Sequence, residues 1–283
     1  DIQSTLERAI VTASSGVPGP VYVELPVDIL YPESIVRDWY RLKSDKRTMP
    51  WWLTQYMNWD VNRIFKNKDK VFPTPVQANT IKSASIHIQR VYEFLNSGKK
   101  PVLLIGGQAM QNLNQAEKLS DAVKTLNIPT YVSGLARGLL SRSDLPILRH
   151  ARKQALLEAD LVILAGVPCD FRLDYGRHIH RHAKMVSINL SRKDLYMNRK
   201  PTCGIQTDPG MFLISLSKAY RQNNWGNWKK ILLDRDQQRN DEIFHQAEEK
   251  TAFINPLKIC LAVNRHIQKG DHIVADGGDF VAT

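Results

Sequence analysis

Val102-Leu103-Leu104-Ile105-Gly106-Gly107 decides the fold. Four consecutive apolar residues with no alternation describe a short strand buried on both faces, and the glycine pair turns the chain at its end. A helix with its apolar face at Ile88, Val91, Tyr92 and Leu95 precedes it, and another at Leu119, Ala122, Val123 and Leu126 follows, before a second strand after Pro129. The pattern repeats downstream. A helix near 151–159 leads to the strand Leu161-Val162-Ile163-Leu164-Ala165, a polar basic stretch to Met185-Val186-Ser187-Ile188, and a helix opens at Pro209. Alternating helices and short buried strands predict an α/β protein with a doubly wound parallel sheet. In such a sheet ligands bind in the loops at the carboxyl edge.

Working outward, residues 84–222 make a central, nucleotide-binding-like domain. Upstream, residues 2–15 predict a helix, Gly16 to Pro20 break it, and Val21 to Leu25 predict a short strand closed by Pro26. Residues 1–35 therefore read as the C-terminal end of an α/β domain whose body is missing. Residues 36–83 read as a linker with an amphipathic segment, Trp51 to Trp59, whose aromatics suit docking on a neighbouring domain better than a membrane surface. Residues 223–255 predict a connecting helix whose charges pair at helical spacing. Asn255-Pro256 is a cap and first-turn pair, and Ile273 onward predicts a strand running into a Gly277-Gly278 turn, so 256–283 read as the start of another domain. The chain is expected to be a piece of a larger enzyme, a parallel sheet flanked by partial α/β domains.

Composition narrows the partners. With 283 residues, 43% hydrophobic, the chain can bury a sizeable core, and no apolar run approaches the roughly 20 residues that cross a bilayer. Cys169, Cys203 and Cys260 lie far apart with no CxxC, which predicts buried free thiols and neither a disulfide framework nor a metal site. The net charge of +11 suits an anionic partner. Nucleic acid is disfavoured because no helix-turn-helix, RNP or zinc-finger pattern occurs, although a non-enzymatic nucleotide- or nucleic-acid-binding module is the alternative of another class. Residues 171–201 hold eight Lys or Arg against two Asp, with His178, His180 and His182. Arg177 and Arg181 could attract the phosphates of an acyl-CoA; a solvated loop is the preferred reading.

The run GVPGPVYVELPVDIL at 16–30, GGQAM at 106–110, LARGLL at 135–140, ADLVILAGVPCDFRLDYG at 159–176 and NRKP at 198–201 resemble thiamine-diphosphate enzymes of the acetolactate synthase group. They are most similar to its 2-hydroxyacyl-CoA lyase branch, and the resemblance implies that residues 1–35 are the C-terminal end of the pyrimidine-binding domain and residues 256–283 the start of the diphosphate-binding domain. The resemblance implies a lyase dependent on thiamine diphosphate and Mg²⁺ that cleaves 2-hydroxyacyl-CoA, its acyl-CoA partner, to an aldehyde and formyl-CoA. An acetolactate synthase-type carboligase acting on pyruvate is the alternative. It also implies that the catalytic glutamate and the metal ligands lie outside residues 1–283, so no catalytic or metal residue is assigned and the segment alone is not catalytic. A homodimer or homotetramer is implied, and an endoplasmic reticulum membrane location through a segment absent here.

Two sets of binding residues follow from the resemblance. Gly277, Gly278, Asp279 and Phe280 match the approach to the thiamine diphosphate. Gly106, Gly107, Gln108, Ala136, Arg137, Gly166, Asn189, Leu190 and Asp208 match an ADP or CoA nucleotide site, where glycines free backbone N–H donors and Arg137 pairs with phosphate. Pro168 stands where acetolactate synthases place an arginine facing the flavin, and Asn189 where an aspartate takes the ribose hydroxyls. Both departures disfavour FAD.

Overall fold

The computed structural model describes residues 2–40, 42, 49–66, 87–140, 148–220 and 225–274. The chain separates into two units, Asp1–Ile81 and Lys82–Thr283.

The second unit carries the sheet. Its helices and strands run α4 (Ile88–Ser97), β1 (Pro101–Ile105), α5 (Ala116–Leu126), β2 (Thr130–Val132), α6 (Arg152–Glu158), β3 (Leu161–Ala165), β4 (Lys184–Asn189), α7 (Arg192–Leu195), β5 (Cys203–Gln206), α8 (Pro209–Ala219), α9 (Gly226–Glu248) and α10 (Pro256–His266). All five strands are parallel, in the order β2-β1-β3-β4-β5. The chain steps from β1 to one side, then crosses back to build β3, β4 and β5 on the other, so the topological switch lies between β1 and β3. Every residue of β1 and β3 is buried, as their continuous apolar runs require. α5 packs on α8, and residues of α4, α5, α6, α8 and α9 close one core around the strands.

β5 escapes sequence reading. Cys203-Gly204-Ile205-Gln206 has two buried positions and no apolar run; it is a strand because β4 offers it a ladder from Val186 opposite Cys203 to Asn189 opposite Gln206. The charged helix α9 is also more than solvated. Trp228, Leu232 and Asp236 are buried, and the Asp236 carboxylate accepts from the backbone N–H groups of Arg149 and His150, both at 2.7 Å. The indole N–H of Trp225 donates to the Gly98 carbonyl at 3.0 Å, and that of Trp228 to the Pro101 carbonyl at 3.1 Å. These bonds fasten α9 to the start of β1. Asn255 caps α10 as expected, its side chain accepting from Leu257 N–H at 3.0 Å.

The first unit holds α1 (Ile2–Ser14), α2 (Glu33–Trp39) and α3 (Trp51–Phe65). α2 and α3 pack through fully buried Val36 and Val61, and Arg37 links Glu33 to Asn58 and Asn62. Trp51, Trp52, Tyr56 and Trp59 are exposed on α3.

Three expectations are corrected. Val21 to Leu25 form no strand, because among the described residues no neighbouring strand offers them hydrogen-bond partners. Cys260 is exposed, since α10 packs against α9 without burying any of its own residues. Ile273 and Val274 are unpaired and exposed, and the rest of the expected terminal strand lies outside the described residues. No described helix is long and apolar enough to cross a membrane.

Candidate functional site

At the carboxyl edge the strand ends interlock. Gly106 N–H donates to the Ala165 carbonyl at 2.9 Å, and Gly166 N–H to the Ile188 carbonyl at 2.8 Å. A methyl group on Gly106 would lie 2.5 Å from the Gly166 carbonyl oxygen. One on Gly166, whose φ is +73°, would lie 2.9 Å from Ala109 N and from the Gln108 Cβ. Only glycine allows these loops to touch. Gly107 is different, since an added Cβ would meet the Leu135 side chain at an ordinary 3.7 Å. The first turn of α8 joins at Gly210, where a Cβ would come 2.6 Å from the Ala109 carbonyl. The turns after β1, β3 and β5 thus converge on Gly107–Met110, which winds as a short 3₁₀ turn.

The side chains follow. Gln108 spans the switch point: its Oε1 accepts from Leu190 N–H and its Nε2 donates to Asp194 Oδ2, both at 3.1 Å. Asp208 caps α8, accepting from Met211 N–H at 3.0 Å. Asn189 ends β4 fully buried; its Oδ1 accepts from Ser191 N–H at 3.4 Å, while its Nδ2 has no hydrogen-bond partner among the described residues. A buried amide donor left without a partner costs free energy unless something else accepts from it. Ala136 is buried in the turn Gly134–Gly138 after β2, and Arg137 projects beside it, exposed. Gly106, Gly166, Gln108, Asn189 and Leu190 therefore share one neighbourhood, which Asp208 reaches through the contact of Gly210 with Ala109.

Sequence reasoning missed the other cations. Burial, and then the charges of Arg137 and Arg172, push the Arg152 guanidinium below the usual arginine range. Arg152 also donates to the Arg172 carbonyl at 3.2 Å. Arg172 in turn pairs with Asp170 at 2.6 Å, which raises the arginine. Burial alone would raise the Asp170 carboxyl, but hydrogen bonds and charge from Arg172 outweigh it and hold the carboxyl below the ordinary range. Arg152 thus lies within electrostatic reach of Arg137 and Arg172, and of the three it is Arg172 that is paired with a carboxylate. Repulsion among them is relieved by an anion, and a phosphate presents the oxygens that arginine forks bind best. Arg172 stands in the DFR run of the 159–176 motif; Arg152 carries no local signal at all. No group of described residues could hold a metal. The thiamine candidates Gly277, Gly278, Asp279 and Phe280 lie outside the described residues.

Comparison with known proteins adds the following. Residues 88–216 match the model of the thiamine pyrophosphate enzyme central domain. The chain is 36% identical over 291 residues to 2-hydroxyacyl-CoA lyase 2 of Bos taurus, covering 100% of this chain and 46% of that protein. It is 34% identical over 295 residues to 2-hydroxyacyl-CoA lyase 2 of Homo sapiens, with the same coverages of 100% and 46%. A probable acetolactate synthase of Mycobacterium bovis is 23% identical over 193 residues, 68% of this chain and 35% of that one. The chain spans about half the length of the lyases it matches.

Proposed function

We propose, from the premise that residues 88–216 belong to the thiamine pyrophosphate enzyme central-domain family, that this chain is the middle of a lyase cleaving 2-hydroxyacyl-CoA to an aldehyde and formyl-CoA. One observation carries the reading: proteins named 2-hydroxyacyl-CoA lyase 2 align with the chain along its whole length at about a third identity, while the acetolactate synthase aligns with 68% of it at 23%. The protein that contains the chain would use thiamine diphosphate with Mg²⁺, assemble as a homodimer or homotetramer, and sit at the endoplasmic reticulum membrane through a segment outside residues 1–283.

When bound, thiamine diphosphate supplies a carbon nucleophile and an electron sink for carbon–carbon cleavage. What this chain contributes is binding and orientation. The cations Arg137 and Arg152 fit the phosphates of ADP or of the nucleotide end of CoA, and the unpartnered Asn189 Nδ2 fits a buried acceptor on the same ligand. Gly106 and Gly166 let the loops after β1 and β3 pack in direct contact at the carboxyl edge. Gln108 and Asp208 act through structure, with atoms engaged by Leu190, Asp194 and the α8 cap.

The test uses the longer protein. Incubated with a 2-hydroxyacyl-CoA, thiamine diphosphate and Mg²⁺, it releases formyl-CoA, and omission of either cofactor stops release. Absence of formyl-CoA with both present removes the substrate assignment. Arg152→Ala is expected to raise KM for the acyl-CoA about tenfold with little change in kcat, as loss of a phosphate contact made equally in ground and transition states requires. The acetolactate synthase alternative expects bound flavin, against which Pro168 argues by removing both a cation and an N–H donor. A yellow chromophore in the purified longer protein would favour that alternative.

A further inference from the structure

The connection between β3 and β4 carries a groove of about 790 Å³ whose lining includes Tyr175, Arg177, His180, Arg181 and Arg199 and, among the described residues, none of Gly106, Gln108, Gly166, Asn189 or Leu190. Its backbone is unusual. Asp174, Tyr175 and Gly176 follow one another in the left-handed region, at φ of 46°, 53° and 89°. Two consecutive non-glycine residues held there cost on the order of 1 kcal/mol or more each, so something must hold the loop. Arg199 does: its Nη1 donates to the Gly176 and Ile179 carbonyls at 3.0 and 2.6 Å, and its Nη2 to the His180 carbonyl at 2.9 Å. Asn198, itself left-handed at 57°, donates to the Cys169 carbonyl at 2.9 Å.

The clamp leaves two cations in excess. Arg199 is engaged by three carbonyls, but Arg177 and Arg181 are exposed on the loop it fixes. Among the described residues no carboxylate lines the groove; Asp174 stands at its edge, 3.7 Å from Arg177, with the arginine side chain 77% exposed. A pair so long and so hydrated neutralises little of that charge. Tyr175 adds a half-exposed aromatic ring to the wall.

We propose that this groove binds a phosphate group, as a monoester or a diphosphate, between Arg177 and Arg181 on the loop that Arg199 holds in its left-handed form. Bidentate arginine contacts suit that chemistry, and a loop fixed in advance loses little freedom on binding. The site is independent of the proposed lyase activity and of the crevice at the switch point.

Phosphate could come from a soluble ligand or a lipid headgroup, and two probes separate them. The 283-residue chain carrying R137A and R152A, which removes the two guanidiniums proposed to hold the lyase's nucleotide phosphates, is titrated with inorganic pyrophosphate by calorimetry and floated with phosphatidylcholine vesicles with and without phosphatidic acid. Circular dichroism checks that each variant is folded. Binding of pyrophosphate alone identifies a soluble source; binding of phosphatidic acid vesicles alone identifies a headgroup; either supports the site. Adding R177A and R181A is expected to weaken the observed binding about tenfold or more, whereas adding K99A and K100A, an equal loss of charge elsewhere, changes it less than about twofold. Binding of neither probe overturns the proposal, and so does equal weakening by the two pairs.

Discussion

Gly107 and Gly166 look alike as letters and differ as residues. At Gly166 a side chain would require a left-handed φ and would press into Ala109 and Gln108, so Gly166→Ala is expected to destabilise the fold by about 2–3 kcal/mol. Gly107→Ala meets only the Leu135 side chain at contact distance and should change stability by less than about 0.5 kcal/mol. Urea unfolding of the two variants measures both values. The thiols divide in the same way. Burial pushes Cys169 up to about 11 and raises Cys203, while Cys260 is exposed. A maleimide at neutral pH is therefore expected to label Cys260 in the native chain and all three cysteines after denaturation, as counted by mass spectrometry. The glycines at the strand ends were legible in sequence as turn formers, but which of them the fold requires depends on loops some 60 residues apart meeting at the switch point.

Elements show the same division between local and long-range causes. Strands β1, β3 and β4 were legible because burial on both faces writes a continuous apolar run into each. β5 was not, since an edge strand takes its identity from its neighbour, and Val21 to Leu25 failed as a strand for lack of one. The charges of α9 were read as pairing along the helix, yet Asp236 faces inward and serves a loop 86 residues away. Asp236→Ala is expected to cost about 2–4 kcal/mol in chemical denaturation, because two buried backbone donors lose a charged acceptor. Asp170 ties its turn to Arg172, and its pH effect has a definite sign. Its folded pKa is depressed, so the stability it contributes is fully present above the unfolded carboxylate value of about 4 and is lost as pH falls through the lower folded value. Asp170→Asn should accordingly lower the melting temperature at neutral pH and narrow its gap from the native chain in acid, followed by thermal scans across that range.

The whole molecule carries +11 of charge, which in sequence points to an anionic partner and, in the basic run 171–201, to Arg177 and Arg181 as phosphate candidates. In three dimensions part of that excess gathers into the Arg137, Arg152 and Arg172 cluster beside the crevice, and part onto the β3–β4 connection. The first grouping is no motif, because its residues meet by folding and the family match reached Arg137 alone; the second stands in the basic run 171–201, where the sequence already shows Arg177 and Arg181. Contacts divide the chain at Ile81, so residues 82–283 expressed alone are expected to keep the cooperative unfolding transition of the sheet, checked by circular dichroism. The six tryptophans obey that same division. Trp39, Trp51, Trp52 and Trp59 are exposed and belong to the first unit; Trp225 and Trp228 are buried, hydrogen-bonded, and belong to the second. Emission accessible to iodide therefore comes from the first unit and shielded, blue-shifted emission from the second, which gives each unit its own intrinsic fluorescent reporter without any label being introduced.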